Sequence, residues 1–151
     1  WNNPIDTNKS IINGWLYTGD IGHFENGFLK ITDRKKDILI TPGGDNISPV
    51  KIENDLTKTE FIEQALVYGD NKPFLVALLV INDDEKNINS EIIKNEIEKI
   101  NKELSKIEKI KKYIVIDKQF SIENGLMTPT LKLKRYKIIE EYKNELEKLY
   151  N

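Results

Sequence analysis

The sequence predicts an α+β fold: a small β-hairpin followed by a compact sheet of about three strands with helices packed on it. Three observations predict it. The run Phe74 to Ile81 is apolar at every position, which suits a central strand covered on both faces. Ile93, Ile97, Ile100, Leu104 and Ile107 recur at spacings of three and four, the stripe of an amphipathic helix. Glu25-Asn26-Gly27 is an Asn-Gly turn ahead of a β-like run, the mark of a hairpin.

In chain order, residues 1–13 read as polar and irregular, closed by the turn Asn13-Gly14. Trp15 to Ile21 alternates loosely. Phe28 and Ile31, then Ile38 and Ile40, read as short strands on either side of Asp33-Arg34-Lys35-Lys36-Asp37. Five consecutive ionisable side chains must stay hydrated or paired, so this run is an exposed joint between two ordered pieces. Thr41-Pro42-Gly43-Gly44 breaks the second strand. Ser48-Pro49 starts a short helix, with serine as cap and proline in the first turn. Gln64 to Tyr68 is a strand, and Asn82-Asp83-Asp84 ends the apolar one that follows. The striped helix begins at Ser90. Tyr113 to Ile116 is a third strand, residues 117–130 a loop turning at Asn124-Gly125, and Ile139, Tyr142, Leu146 and Leu149 mark a terminal helix. No internal repeat is evident.

Composition bounds the function. With 151 residues there is enough chain for one ordinary domain with its own core. A net charge of -2 gives no field that would favour nucleic acid. The absence of cysteine excludes disulfides and cysteine-metal sites, which fits a reducing compartment. No metal-ligand spacing occurs, and no apolar run approaches membrane-spanning length. The first residues lack the basic and apolar regions of a signal peptide. Residue 1 is Trp, so the chain is expected to be a piece of something larger.

Several residues could carry chemistry. Asp20, after a glycine in Thr18-Gly19-Asp20, can accept hydrogen bonds from two neighbouring hydroxyls, or can simply close an Asx turn. Arg34 is one of two arginines. Its planar fork suits a carboxylate or phosphate, or an ion pair with Asp33 or Asp37. Gly43 and Gly44 let backbone approach a ligand ahead of a helix start, or form an ordinary turn. Lys132 is either a site lysine or a solvated residue beside Lys134 and Arg135. His23, the only histidine, has no triad around it and reads as a surface residue. Lys109, Lys111 and Lys112 read as a solvated helix end.

Four stretches in order, Gly14 to Asp20, Asp33 to Asp37, Gly43 to Pro49 and Leu126 to Arg135, resemble the C-terminal part of the adenylate-forming (AMP-binding) ligases, most of all the long-chain fatty acyl-CoA synthetases. The resemblance covers nearly the whole chain. It implies that residues 1–32 are the tail of a large N-terminal adenylation domain, 33–37 a hinge, and 38–151 a mobile C-terminal lid. It implies that Asp20 holds the ribose of ATP or AMP, that Arg34 lies near the nucleotide, and that Lys36 is the hinge residue, with Lys35 the competing candidate. It places Gly44, with Gly43, beside the pantetheine arm of CoA, and makes Lys132, preferred over Lys134, the adenylation lysine. Relatives often carry Ser-Gly before that lysine; here Thr130-Leu131 precedes it, as in the long-chain branch. The implied substrates are a fatty acid, ATP and CoA, with magnesium bound by the large domain, and the lid alone should not turn over. The implied location is cytoplasmic, with peripheral membrane contact of the full-length enzyme left open. The rival readings are an adenylating enzyme for another acid or for a carrier-protein acceptor, and a non-catalytic α+β interaction module.

Overall fold

The computed structural model describes residues 2–82 and 89–151. Asp83 and Asp84, read as ending the central strand, lie outside the described residues. The chain divides into two compact units, residues 1–38 and 39–151.

The first unit opens with helix α1 (Pro4–Ser10), where an irregular segment was expected. Asn3 caps it, its side chain accepting the Asp6 N–H at 3.1 Å, and Pro4 occupies the first turn. No residue of α1 is buried, so there is no apolar stripe by which to read it. Strands β1 (Ile11–Ile12) and β2 (Trp15–Leu16) pair across the Asn13-Gly14 turn. Strands β3 (Asp20–Glu25) and β4 (Phe28–Arg34) form the expected hairpin. β4 runs on through Asp33 and Arg34, so the charged joint is shorter than its five residues suggested. The strand tolerates them because none of its side chains is buried, leaving the charges hydrated or paired. A Cβ on Gly22 would lie 2.5 Å from the Lys30 carbonyl oxygen, so the close approach of β4 requires glycine there. His23 is exposed on β3.

In the second unit, β5 (Leu39–Ile40) and β6 (Asn46–Ile47) pair across the glycine turn. Helix α2 (Pro49–Leu56) follows, capped by Ser48 as expected. Strands β7 (Ile62–Tyr68), β8 (Leu75–Ile81) and β9 (Ile110–Ile116) make one sheet in that order, the first pair antiparallel and the second parallel. A parallel pair needs a crossover, which helix α3 (Ser90–Glu103) supplies. Every residue of β8 is buried. Leu75, Ala77, Leu79 and Ile81 pack with Ile52 and Leu56 of α2 and Ile93 and Ile97 of α3. Val76, Leu78 and Val80 pack on the opposite face with Phe120, Leu126, Ile138 and Leu146. The period-two side-chain alternation thus feeds two cores, and helices cover both faces.

Three boundaries differ from expectation. Helix α3 stops at Glu103; Leu104 is buried as its C-cap, but Ile107 lies beyond it and is 44% exposed. Strand β9 starts at Ile110, so Lys111 and Lys112 lie in the strand and Lys109 just before it, not at a helix end. The Asn101 side chain fixes that start: its amide donates to the Ile110 carbonyl and its oxygen accepts the Ile110 N–H, both at 2.9 Å. The terminal helix is two short ones, α4 (Arg135–Glu141) and α5 (Lys143–Lys148), broken at Tyr142. Their end is tied to the sheet. Lys72 Nζ lies 2.6 Å from Glu147 Oε2, Tyr68 donates to Glu147 Oε1, and the Tyr150 hydroxyl donates to the Phe74 carbonyl at 3.1 Å. The bond with Lys72 holds the Glu147 carboxyl below its ordinary range and raises Lys72 in turn, while burial raises Tyr150.

Candidate functional site

In the first unit the hairpin register sets Asp20 opposite Arg34. Arg34 Nε lies 3.2 Å from Asp20 Oδ1, so Arg34 pairs with the other nucleotide candidate. Thr18 Oγ1 accepts the Asp20 N–H at 3.1 Å, and the Lys35 N–H donates to the Gly19 carbonyl at 2.8 Å. Two motifs separated by a dozen residues thereby become one surface. Asp20 Oδ2 makes no hydrogen bond among the described residues, so one carboxylate oxygen remains to accept from a hydroxyl. A carboxylate with a free acceptor beside an exposed guanidinium suits a diol next to an anion. Lys35 and Lys36 share the exposed turn that follows β4, closed by the Asp37 N–H on the Arg34 carbonyl at 2.9 Å. Nothing in that turn separates one lysine from the other as a pivot.

The second unit carries the other candidates on two turns. In the first, Thr41-Pro42-Gly43-Gly44-Asp45, the Gly44 N–H donates to the Thr41 carbonyl at 2.9 Å and the Thr41 N–H to the Asp45 carbonyl at 2.9 Å. Thr41 Oγ1 accepts the Asp45 N–H and donates to Asp45 Oδ2, each at 3.0 Å. Gly44 has φ +88°, and a Cβ there would meet nothing within 4 Å. Backbone conformation demands the glycine, and the space above it is open.

The second turn is Thr128-Pro129-Thr130-Leu131-Lys132, flanked by the antiparallel bridge of Met127 and Leu133. The Leu131 N–H donates to the Thr128 carbonyl at 2.9 Å, the Thr128 N–H to the Lys132 carbonyl at 2.8 Å, and the Lys132 N–H to Thr128 Oγ1 at 3.0 Å. The pattern is that of the Gly44 turn, position for position, a local repeat not evident in the sequence. Leu131 stands where Gly44 stands and takes φ +59°. The exposed Lys132 side chain has no ion-pair partner among the described residues.

The residue that sequence reasoning missed is Arg135. It is not solvated: its side chain is 15% exposed, and it binds both oxygens of Glu53, at 2.7 and 2.6 Å, and the Val67 carbonyl at 3.0 Å. Glu53 also accepts the Val67 N–H at 2.6 Å. β7 is an edge strand of the three-stranded sheet, and this pair satisfies the outward N–H and carbonyl of Val67 while fixing the start of α4 next to the Lys132 turn. The available signal was a lone arginine among lysines in the closing motif, since a planar fork is what a buried carboxylate requires.

Residues 36–151 match the family model described as the AMP-binding enzyme C-terminal domain. The whole chain is 34% identical to a long-chain-fatty-acid–CoA ligase of Mycobacterium tuberculosis and spans 29% of it. Over 91% of its length it is 37% identical to a long-chain-fatty-acid–CoA ligase of Mus musculus, spanning 23% of that protein. Among solved structures, the adenylation domain of a carboxylate reductase from Mycobacterium chelonae superposes with a TM-score of 0.89 at 28% identity, covering 99% of this chain and 25% of that one. O-succinylbenzoate Coenzyme A synthetase from Bacillus subtilis, in complex with AMP, gives 0.69 at 30% identity, covering 91% and 26%. The chain therefore spans less than a third of the length of these curated relatives.

Proposed function

The chain belongs to the family of AMP-binding enzyme C-terminal domains, and from that premise we propose that it is the lid of a long-chain fatty acid–CoA ligase. In the first half-reaction a fatty acid carboxylate attacks the α-phosphate of ATP, giving acyl-adenylate and releasing pyrophosphate. In the second the thiol of CoA attacks the acyl carbonyl, forming the thioester and releasing AMP. The observation that carries this reading is the Thr128–Arg135 segment, which presents an exposed Lys132, with no ion-pair partner among the described residues, on a hydrogen-bonded turn. A fixed ammonium lowers the barrier where charge builds on the phosphate and leaving oxygens. Asp20 takes the ribose hydroxyls on its free oxygen, and Arg34 lies beside the nucleotide. Rotation about Lys36, with Lys35 the alternative pivot, withdraws Lys132 and brings the open Gly43-Gly44 turn to the path of CoA. The large preceding domain, of which residues 1–32 are the tail, supplies the magnesium contact and the acyl pocket. We place the full-length enzyme in the cytoplasm, where ATP and CoA meet; cell fractionation tests that, and peripheral membrane contact with it.

The test separates the half-reactions in the full-length enzyme, with both variants first shown folded. Lys132→Ala should lose acyl-adenylate formation by about a hundredfold or more, as for loss of one preorganised charge donor, yet still convert supplied acyl-adenylate to thioester. Gly44→Leu should adenylate near normally and transfer poorly. Loss of the same half-reaction by both would end the two-state assignment. The likeness to a carboxylate reductase adenylation domain favours one second reading, transfer to a carrier-protein thiol in place of CoA. Mass spectrometry of the thioester formed with each acceptor decides between them.

A further inference from the structure

The two turns of the second unit share one backbone pattern and differ in where the threonine hydroxyl points. In the Gly44 turn, Thr41 Oγ1 accepts the N–H of the fifth residue and also donates to that residue's side chain, Asp45 Oδ2. The fifth side chain is tied down. In the Lys132 turn, Thr128 Oγ1 again accepts the fifth residue's N–H, but its second contact is Thr130 Oγ1 at 3.1 Å. The partner has moved from the fifth position to the third. The fifth residue keeps an anchored backbone, which sets where its side chain starts, while Thr128 leaves that side chain available to a group outside the turn.

We infer that Thr128, with Thr130 as its partner, is the positioning residue for Lys132. Leu131 makes this coupling sensitive. A residue with a Cβ is disfavoured in left-handed backbone, and Leu131 is held at φ +59°. Removing the hydroxyl that anchors Lys132 lets Leu131 relax, and the displacement falls on Lys132. Leu131 is 67% exposed, so the surrounding core does not feel the change.

The inference rests on the reading of Lys132 as the adenylation lysine, so the experiment carries Lys132→Ala in parallel. In the full-length enzyme, Thr128→Val should lower kcat for acyl-adenylate formation roughly tenfold to a hundredfold, the scale of a displacement near 1 Å. The KM for ATP, thioester formation from supplied acyl-adenylate and the melting temperature should not change. Thr128→Ser, which keeps the hydroxyl, should restore kcat. Wild-type adenylation by Thr128→Val, equal loss of both half-reactions, or failure of Thr128→Ser to restore the rate would overturn the inference. If Lys132→Ala is inactive while Thr128→Val is normal, the positioning role alone falls. If Lys132→Ala adenylates normally, the assignment of Lys132 falls and the positioning role with it. Should Thr128→Val not fold, Thr128→Ala decides by the same comparison, since it also removes the hydroxyl that accepts the Lys132 N–H.

Discussion

Gly44 and Leu131 occupy equivalent places in two equivalent turns, and only one of them is glycine. Left-handed backbone costs a residue with a Cβ about 1–2 kcal/mol, whereas glycine enters it freely but gives up about 0.5–1 kcal/mol more chain entropy on folding. At Gly44 the surroundings are empty within 4 Å, so Gly44→Ala isolates the backbone cost. Net of that entropy, it should destabilise the 151-residue chain by up to about 1.5 kcal/mol, and Leu131→Gly should stabilise it by up to about 1 kcal/mol, both read from urea midpoints. An unchanged midpoint for Gly44→Ala together with a lowered one for Leu131→Gly would mean that the strain lies elsewhere. Sequence alone carried part of this. Gly43-Gly44 announces a turn, and the closing motif points to Lys132. The anchoring by Thr128 was not legible, because in the sequence residues 117–130 read as a loop. It takes the Met127–Leu133 bridge to face Thr128 with Lys132.

Between elements, the pair of Glu53 and Arg135 joins α2, the outer edge of β7 and the first turn of α4. Both side chains are nearly buried, at 10% and 15% exposure, so neither charge can be left without its partner cheaply. Arg135→Met should cost about 3–5 kcal/mol in urea unfolding of the 151-residue chain. The double variant with Glu53→Met should recover much of that, short of full recovery, because the Val67 N–H then loses its acceptor. A double variant no more stable than Arg135→Met would show that packing, not the stranded carboxylate, accounts for the loss. The elements themselves differ in how visible they are in sequence. β8 is legible because it is apolar on both faces, and α3 because its stripe faces one core. The end of α3 is not. Ile107 continues the spacing, but Ser105 and Glu108 have already turned the chain, the Ser105 N–H donating to Glu108 Oε2 at 3.1 Å. The terminal helix kept its apolar periodicity across the break at Tyr142, which therefore left no mark in the pattern.

At the scale of the whole molecule, the two units are unequal in what they bury. Among the described residues every buried side chain lies at Leu39 or beyond, and both cores consist of residues from the second unit alone. Among its described residues the first unit has no core. Trp15, Phe24 and Phe28 are 75%, 77% and 78% exposed, and burying one such side chain contributes about 1.5–3 kcal/mol. A two-stranded hairpin whose side chains bury nothing is marginal in water. Residues 39–151 expressed alone should therefore unfold cooperatively at the same urea midpoint as the 151-residue chain. Residues 1–38 alone should show no cooperative transition. In the 151-residue chain the β3 and β4 amides should exchange within seconds to minutes, and in the full-length enzyme they should be protected, because the proposed adenylation domain covers the apolar faces that this unit leaves bare. A lowered midpoint for residues 39–151 would show that the second unit's core is incomplete by itself. Strong protection of β3 and β4 in the 151-residue chain, unchanged in the full-length enzyme, would remove the argument that residues 1–32 belong to the preceding domain.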